Sequence, residues 1–299
     1  MVFIKSPLNY TGGKYKLLKD ILPMFPNDIS TFVDLFAGGF NVGINVKADR
    51  IICNDHINYL LDLYEYLYMT PIDELLNSIN SRITEYDLSL TNAEGYNSLR
   101  SQYNKDKNIL DLFILTCFSF NHQIRFNNKH EFNTPFGKER SSYNKNIEKN
   151  LIEFCNALKS KNIIYSNTDF LEVDLSTLTS KDLVYCDPPY LISNGSYNDG
   201  KRGFKDWTTK EEYELLYLLD HLDKKGVKFA LSNVLYHKGL ENEILIEWSK
   251  KYNTIYLDKK YSNCSYQFKE RDAKTVEVLI TNYETVNEGS LIWDQLKIF

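Results

Sequence analysis

"FVDLFAGGFNVG", Phe32 to Gly43, sets the frame for the chain. An apolar run reaches an acidic residue, Asp34, and passes into the adjacent pair Gly38-Gly39. Paired glycines let a backbone run close to a ligand, and a helix starting just after them would aim its free N–H groups at polar or negative ligand atoms. A second short run, "RIICND" (Arg50 to Asp55), ends in Asn54-Asp55. Asp55 lies 21 residues beyond Asp34, about where a doubly wound sheet places a carboxylate for ribose hydroxyls. An ordinary acidic turn residue would satisfy the same position. The G-x-G-x-x-G fingerprint of dinucleotide binding is absent.

The same kind of strand recurs along the chain. "STFVDLFAG", "RIICND", "KNIIYSN", "DLVYCDPPY", "GVKFALSN", "NTIYLD" and "TVEVLITNY" are short runs of Val, Ile, Leu, Phe and Tyr bounded by Gly, Asp, Asn or Pro, the signature of strands buried on both faces. Helical patterns alternate with several of them. These are "GKYKLLKDILPMF", "TTKEEYELLYLLDHLDKKG" with Thr209 and Glu212 at capping-box spacing, and "GLENEILIEWSKKY". The alternation predicts an α/β fold with a seven-stranded, doubly wound, mostly parallel sheet. Residues 56–160 depart from it, carrying helical patterns such as "INYLLDLYEYLY" and "ILDLFILTCFSF" without a parallel strand. A crossover needs only about a dozen residues, so this interval is expected to be an inserted, mainly helical subdomain, with residues 1–55 and 161–299 forming the main domain.

At 299 residues and 43% hydrophobic composition the chain can bury a sizeable core. No apolar run approaches the roughly 18 to 20 residues of a membrane span, and the N-terminus lacks a signal-peptide pattern, so a soluble, cytoplasmic protein without a membrane partner is expected. Five scattered cysteines without a C-x-x-C pair and five histidines without ligand spacing imply reduced thiols and no metal. A net charge of −5 argues against a protein that coats nucleic acid, but not against a local basic face.

Two further stretches carry chemistry. "DLVYCDPPYL", Asp182 to Leu191, ends an apolar strand in a carboxylate, two prolines and a tyrosine. "PLNYTGGKYKLL", Pro7 to Leu18, sets Tyr10 and Lys14 about another glycine pair. An aromatic there can stack on a flat ring, and a lysine can reach a carboxylate. Taken in order, "NYTGGKYKLL", "FVDLFAGGFNVGIN", "RFNNKHEFNTPFG" and "VYCDPPY" resemble the four motifs of the Dam-type (D12 class, α motif order) DNA adenine-N6 methyltransferases. Asp55 and the terminal "EVLITNY" also fit that pattern, and the resemblance spans most of the chain.

The resemblance implies a Rossmann-like class I methyltransferase fold that moves a methyl group from S-adenosylmethionine to N6 of a flipped adenine in a specific duplex sequence. It assigns Asp187, Pro188, Pro189 and Tyr190 to catalysis. It assigns Tyr10, Gly12, Lys14, Asp34, Phe36, Ala37, Gly38, Gly39, Asp55, Asp169, Phe170 and again Asp187 to the cofactor. The sequence departs from the family pattern at Tyr10, where many relatives carry tryptophan, and at Phe40, where many carry a third glycine. The partners implied are double-stranded DNA and a cognate restriction endonuclease acting on the same site, with the protein itself a monomer. An RNA adenine-N6 methyltransferase and a catalytically silent nucleic-acid-binding module of the same fold are the alternatives. The intact Asp187-Pro188-Pro189-Tyr190 disfavours the second of these.

Residues Arg125 to Lys149 hold six Lys/Arg against three acids in an otherwise acidic protein, a mixture suited to phosphate contacts and base readout. Matched to the family's recognition hairpin, Arg125 becomes the candidate base reader. Asn121, Asn127, Asn133 and Pro135 are its expected neighbours on DNA, and Lys138 and Arg140 are expected to hold phosphates. "SNGSYNDGKRGFKDW" (Ser193 to Trp207) is expected to be a lid that orders with substrate, and "YSNCSYQFKERDAK" (Tyr261 to Lys274) a second such element.

Overall fold

The structure is a computed structural model that describes residues 2–192, 207–257 and 275–285. The strands are β1 (Thr31–Asp34), β2 (Arg50–Asn54), β3 (Ile163–Ser166), β4 (Leu183–Cys186), β5 (Lys228–His237), β6 (Leu240–Glu241), β7 (Asn253–Tyr256) and β8 (Thr275–Thr281). Their order across the sheet is β3-β2-β1-β4-β5-β8-β7, with β6 a two-residue addition to β5. All seven expected strands are present, and among the described residues the count exceeds the expectation only by β6. β1 to β5 run parallel, while β8 is antiparallel to both β5 and β7.

Neighbouring residues on a strand point to opposite faces, and both faces are covered. Phe32, Tyr185, Ala230 and Leu279 belong to one apolar layer, with α1 (Leu18–Ile21), α2 (Asn58–Met69) and α6 (Lys145–Lys159). Val33, Val184, Phe229, Leu231 and Val278 belong to the other, with α7 (Thr209–Lys224) and α8 (Glu243–Ser249). That double burial is why the strands read as unbroken apolar runs rather than alternating ones. β1 is flanked by β2 on one side and β4 on the other, so the chain reverses its direction of travel across the sheet there, and ligands of such folds bind at the carboxyl ends of these strands.

Between β2 and β3 the chain forms α2, α3 (Ile72–Glu85), α4 (Ala93–Asp106), α5 (Ile109–Phe118) and α6. Their apolar residues share one core with the sheet: Tyr64 of α2 touches Phe154 of α6 at 5.7 Å between ring centroids. A hairpin-like segment follows α5, with antiparallel bridges Ser119↔Phe136 and Phe126↔Phe132.

Several local expectations are corrected. No helix follows the Gly38-Gly39 turn; residues 41–45 form consecutive turns instead. "GKYKLLKDILPMF" is split into a 3-10 turn, the single helical turn α1 and another 3-10 turn, because Pro23 has no N–H with which to continue a helix. In "GLENEILIEWSKKY" the first residues pair with β5 as β6, and Asn242 caps α8. The capping box of α7 uses Thr208 and Glu211 rather than Thr209 and Glu212. Both pairs have the right spacing, but the Glu212 carboxylate is buried and accepts from Trp207 at 2.6 Å and Asn242 at 2.8 Å.

Candidate active site

The carboxyl ends of three adjacent strands converge on one cleft. β1 ends at Asp34, β2 runs into Asp55 and β4 runs into Asp187. Every residue expected to serve catalysis or the cofactor lines it: Tyr10, Gly12, Lys14, Asp34, Phe36, Ala37, Gly38, Gly39, Asp55, Asp169, Phe170, Asp187, Pro188, Pro189 and Tyr190.

Asp187 is the electrostatic centre of the cleft. Its Oδ1 accepts from the Lys14 ammonium at 2.8 Å and from the Tyr190 hydroxyl at 3.0 Å. Burial pushes its pKa up, and Lys14 and Tyr190 pull against that. Lys14 is itself buried, donates to the Gly12 carbonyl at 3.1 Å and lies 5.0 Å from the centre of the Tyr190 ring. A lysine from the first motif therefore holds the carboxylate of the last one.

The glycine loop is held from several sides. The Gly38 N–H donates to Asp55 Oδ2 at 2.7 Å, and the Gly38 carbonyl accepts from the Tyr64 hydroxyl at 2.6 Å. Asp55 Oδ1 also accepts the Ile57 N–H at 2.9 Å. Gly38 has φ +48, and a Cβ on it would meet the Tyr10 ring at 3.0 Å, so both its conformation and its neighbour call for glycine. Phe40 takes φ +54, a left-handed conformation that costs roughly 1–2 kcal/mol. Its ring is wholly buried against Tyr64 at 5.8 Å, a gain of about 1.5–3 kcal/mol that offsets the strain. Phenylalanine at this departure from the family pattern is thus accommodated by packing. A Cβ on Gly43 would lie 2.2 Å from that ring, so Phe40 and Gly43 fit as a pair.

Asp34 lies deepest of the three carboxylates. Burial raises its pKa to about 8, with the Gly43 N–H, 3.0 Å from Oδ2, opposing and the charges of Asp187 and Asp55 adding to the rise. Asp34 is therefore mostly protonated at neutral pH, which relieves repulsion among three acids sharing one site. On the opposite wall Phe36, Phe170 and Trp207 form a triangle of aromatic rings with centroids 5.4 to 5.7 Å apart.

Some residues of this site had no clear local signal. Tyr64 is one of 22 tyrosines, within the helical pattern "INYLLDLYEYLY" that marked a helix but no role at the cleft. Asn54 was visible only as Asp55's neighbour. Its amide donates to the Leu35 and Thr168 carbonyls at 3.0 and 3.3 Å, joining β1, β2 and the loop after β3.

The expected DNA-binding residues do not line this cleft. They lie on the segment after α5, where Phe126 and Phe132 turn inward and Arg125, Asn133, Pro135, Lys138 and Arg140 are exposed. Arg125 donates to the Gln123 side chain, and Arg140 lies 4.9 Å from the centre of the Phe120 ring. Asn127 is engaged at both ends: Oδ1 accepts the Lys129 and Glu131 N–H groups, while Nδ2 donates to Glu131 Oε2 at 2.8 Å. Asn9, next to Tyr10 of the cleft, donates from Nδ2 to the Asn121 carbonyl of this segment at 2.9 Å. Of the two loops expected to close over substrate, 193–206 and 261–274 lie outside the described residues.

The chain is 54% identical over 281 residues to the type II methyltransferase M.FokI of Planomicrobium okeanokoites, an alignment covering 94% of this chain and 43% of that protein. It is 49% identical over 285 residues to the modification methylase StsI of Streptococcus sanguinis, covering 95% of this chain and 43% of that one. It therefore spans less than half the length of either. With the DNA adenine methylase of Escherichia coli (strain K12) it shares 28% identity over 232 residues, 76% of this chain and 79% of the other. Residues 10–263, from the tyrosine of the first glycine turn past the strands that carry Asp34, Asp55 and Asp187, match the pattern described as D12 class N6 adenine-specific DNA methyltransferase, and the chain belongs to that family.

Proposed function

We propose that this chain transfers a methyl group from S-adenosylmethionine to N6 of an adenine flipped out of a specific double-stranded DNA sequence. The observation that carries this reading is the meeting of Asp187-Pro188-Pro189-Tyr190 with the glycine loop and Asp55 in one cleft.

The residues present fit such a donor. The loop at Gly38 and Gly39 packs against Tyr10 too closely for a Cβ, so its backbone itself lines the cleft, and the Phe36–Phe170–Trp207 triangle offers an apolar wall to a flat base. Asp55 uses one lone pair on each oxygen for a backbone N–H, so each still has capacity for a ribose hydroxyl. When bound, S-adenosylmethionine would supply an electrophilic methyl carbon next to a positive sulfur.

The exocyclic N6 of adenine is a poor nucleophile because its lone pair is delocalised into the ring. Asp187 and a carbonyl of the Pro188-Pro189 segment would accept its two N–H groups and turn the lone pair outward, which is positioning and electrostatic catalysis. Proline suits this edge because it fixes φ and brings no competing N–H. Lys14 favours the ionised form of Asp187 against burial, which keeps it an acceptor and lets it take the proton N6 loses. Tyr190 offers a ring to the flipped base, helping to offset a few kcal/mol of unstacking.

In this reading residues 1–55 and 161–299 hold cofactor and chemistry, while 56–160 reads DNA, with Arg125 on bases and Lys138 and Arg140 on phosphates. A cognate endonuclease at the same sequence follows by analogy with relatives named as type II and modification enzymes. A monomer acting on cytoplasmic DNA completes the proposal. Labelled-methyl transfer to duplex DNA, single-stranded DNA and RNA tests it. Transfer to duplex adenine, lost in Asp187→Ala, is expected; transfer to RNA alone, or to nothing, refutes it.

A further inference from the structure

β8 carries a carboxylate toward the cleft that none of these roles uses. Val276 and Val278 are buried in the α7–α8 layer, so the pleat turns Glu277 to the opposite face, which it shares with Leu279 and Tyr185. Register sets its height. Leu231 of β5 pairs with Cys186 of β4, whereas Glu277 pairs with Val234, three residues further along β5. Glu277 thus stands beyond the end of β4, level with the Pro188-Pro189 segment and about 10 Å across the sheet at two strand spacings.

Its Oε2 is buried and has no hydrogen-bond partner among the described residues. Burial raises its pKa, the Lys14 charge opposes that rise and the Asp187 charge adds to it; Glu277 in turn acts on the Tyr190 phenol. A buried acceptor left without a donor is costly, so its place within electrostatic reach of a buried ammonium calls for a physical reason.

Lys14 and Tyr190 both occupy Asp187 Oδ1 in this state of the cleft. When Asp187 takes the proton that N6 loses it is no longer an anion, and an ammonium as buried as Lys14 then needs another counter-ion. We propose that Glu277 is a positioning residue that takes over Lys14 as Asp187 takes up that proton, so that the ammonium keeps a counter-ion. The inference rests on the methyl-transfer reading for its purpose, but the pairing itself can be tested without activity.

The first experiment is a double-mutant cycle of Lys14→Met and Glu277→Gln, read by urea unfolding in the unmodified and Asp187→Ala backgrounds. The two midpoint shifts should add when Asp187 is present and fail to add when it is absent; additivity in both backgrounds overturns the hand-over. The second is single-turnover methyl transfer to duplex DNA. Glu277→Gln should slow the saturated rate about 10-fold or more while leaving the half-saturating cofactor and DNA concentrations within about twofold, and Glu277→Asp should restore part of the rate. An unmodified chain that transfers methyl groups alongside an undiminished Glu277→Gln overturns this inference alone. An unmodified chain that transfers nothing overturns the methyl-transfer reading, and the unfolding cycle then decides the pairing. Should Glu277→Gln fail to fold, the same cycle and rate measurement run with Glu277→Asp, where an intermediate rate supports the hand-over and an unchanged one refutes it.

Discussion

Replacing Tyr64 with phenylalanine removes one oxygen from a wholly buried side chain and leaves the packing of its ring on Phe40 and Phe154 in place. The lost bond is the 2.6 Å donation to the Gly38 carbonyl. Leaving a buried carbonyl without its donor costs about 1 to 2 kcal/mol. The other side of that residue stays tied, because Asp55 still accepts the Gly38 N–H, so the loss should fall on the glycine loop rather than on the whole sheet. If the cofactor must restore the loop when it binds, the Kd for S-adenosylmethionine should rise about 5- to 30-fold, the same energy expressed as affinity. Calorimetry would measure that rise, and methyl-transfer kinetics should show a saturated rate within about threefold of the unmodified chain. An unchanged Kd would refute the claim that α2, a helix of the expected DNA-reading insert, supports the cofactor pocket. A large fall in rate with no change in Kd would show that Tyr64 acts elsewhere.

Asp34→Asn should stabilise the chain increasingly as pH rises. A carboxyl whose pKa climbs from about 4 in the unfolded chain to about 8 in the folded one binds its proton more tightly when folded, so it costs stability as pH rises between those values. The variant's advantage should open across that window and level off above it; urea unfolding at pH 5, 7 and 9 measures it, and a pH-independent difference refutes it. Arg125→Ala should relax sequence preference by about 1 to 3 kcal/mol at one base pair, measured by sequencing methylated sites in a randomised duplex pool. A uniform loss at all sites would show that Arg125 holds phosphate instead.

Much of the fold was legible because its signals are local. Each strand is a contiguous apolar run, and double burial makes such runs stand out. The glycine pairs, Asp34, Asp55 and Asp187-Pro188-Pro189-Tyr190 are likewise contiguous motifs at strand ends, where an open α/β sheet collects its ligands. Local rules failed where two candidates competed in one window. Thr208 and Thr209 both fit a capping box, and the choice fell to the burial of Glu212. The Gly38-Gly39 turn suggested a helix start, but the turns after it serve to bury Phe40 over Gly43.

By itself, then, the sequence determined which strands form, that they build an α/β sheet, and which short motifs meet at its edge, because each of these is written in neighbouring residues. Only the tertiary structure decided how those motifs act on one another. Lys14 pairs with Asp187, Tyr64 holds Gly38, and Glu277, whose Oε2 has no hydrogen-bond partner among the described residues, feels both charges. These contacts join residues far apart in the chain through a buried interior. A tyrosine, lysine or glutamate looks the same in sequence whether it faces water or a buried carboxylate, and burial is what makes the difference in energy.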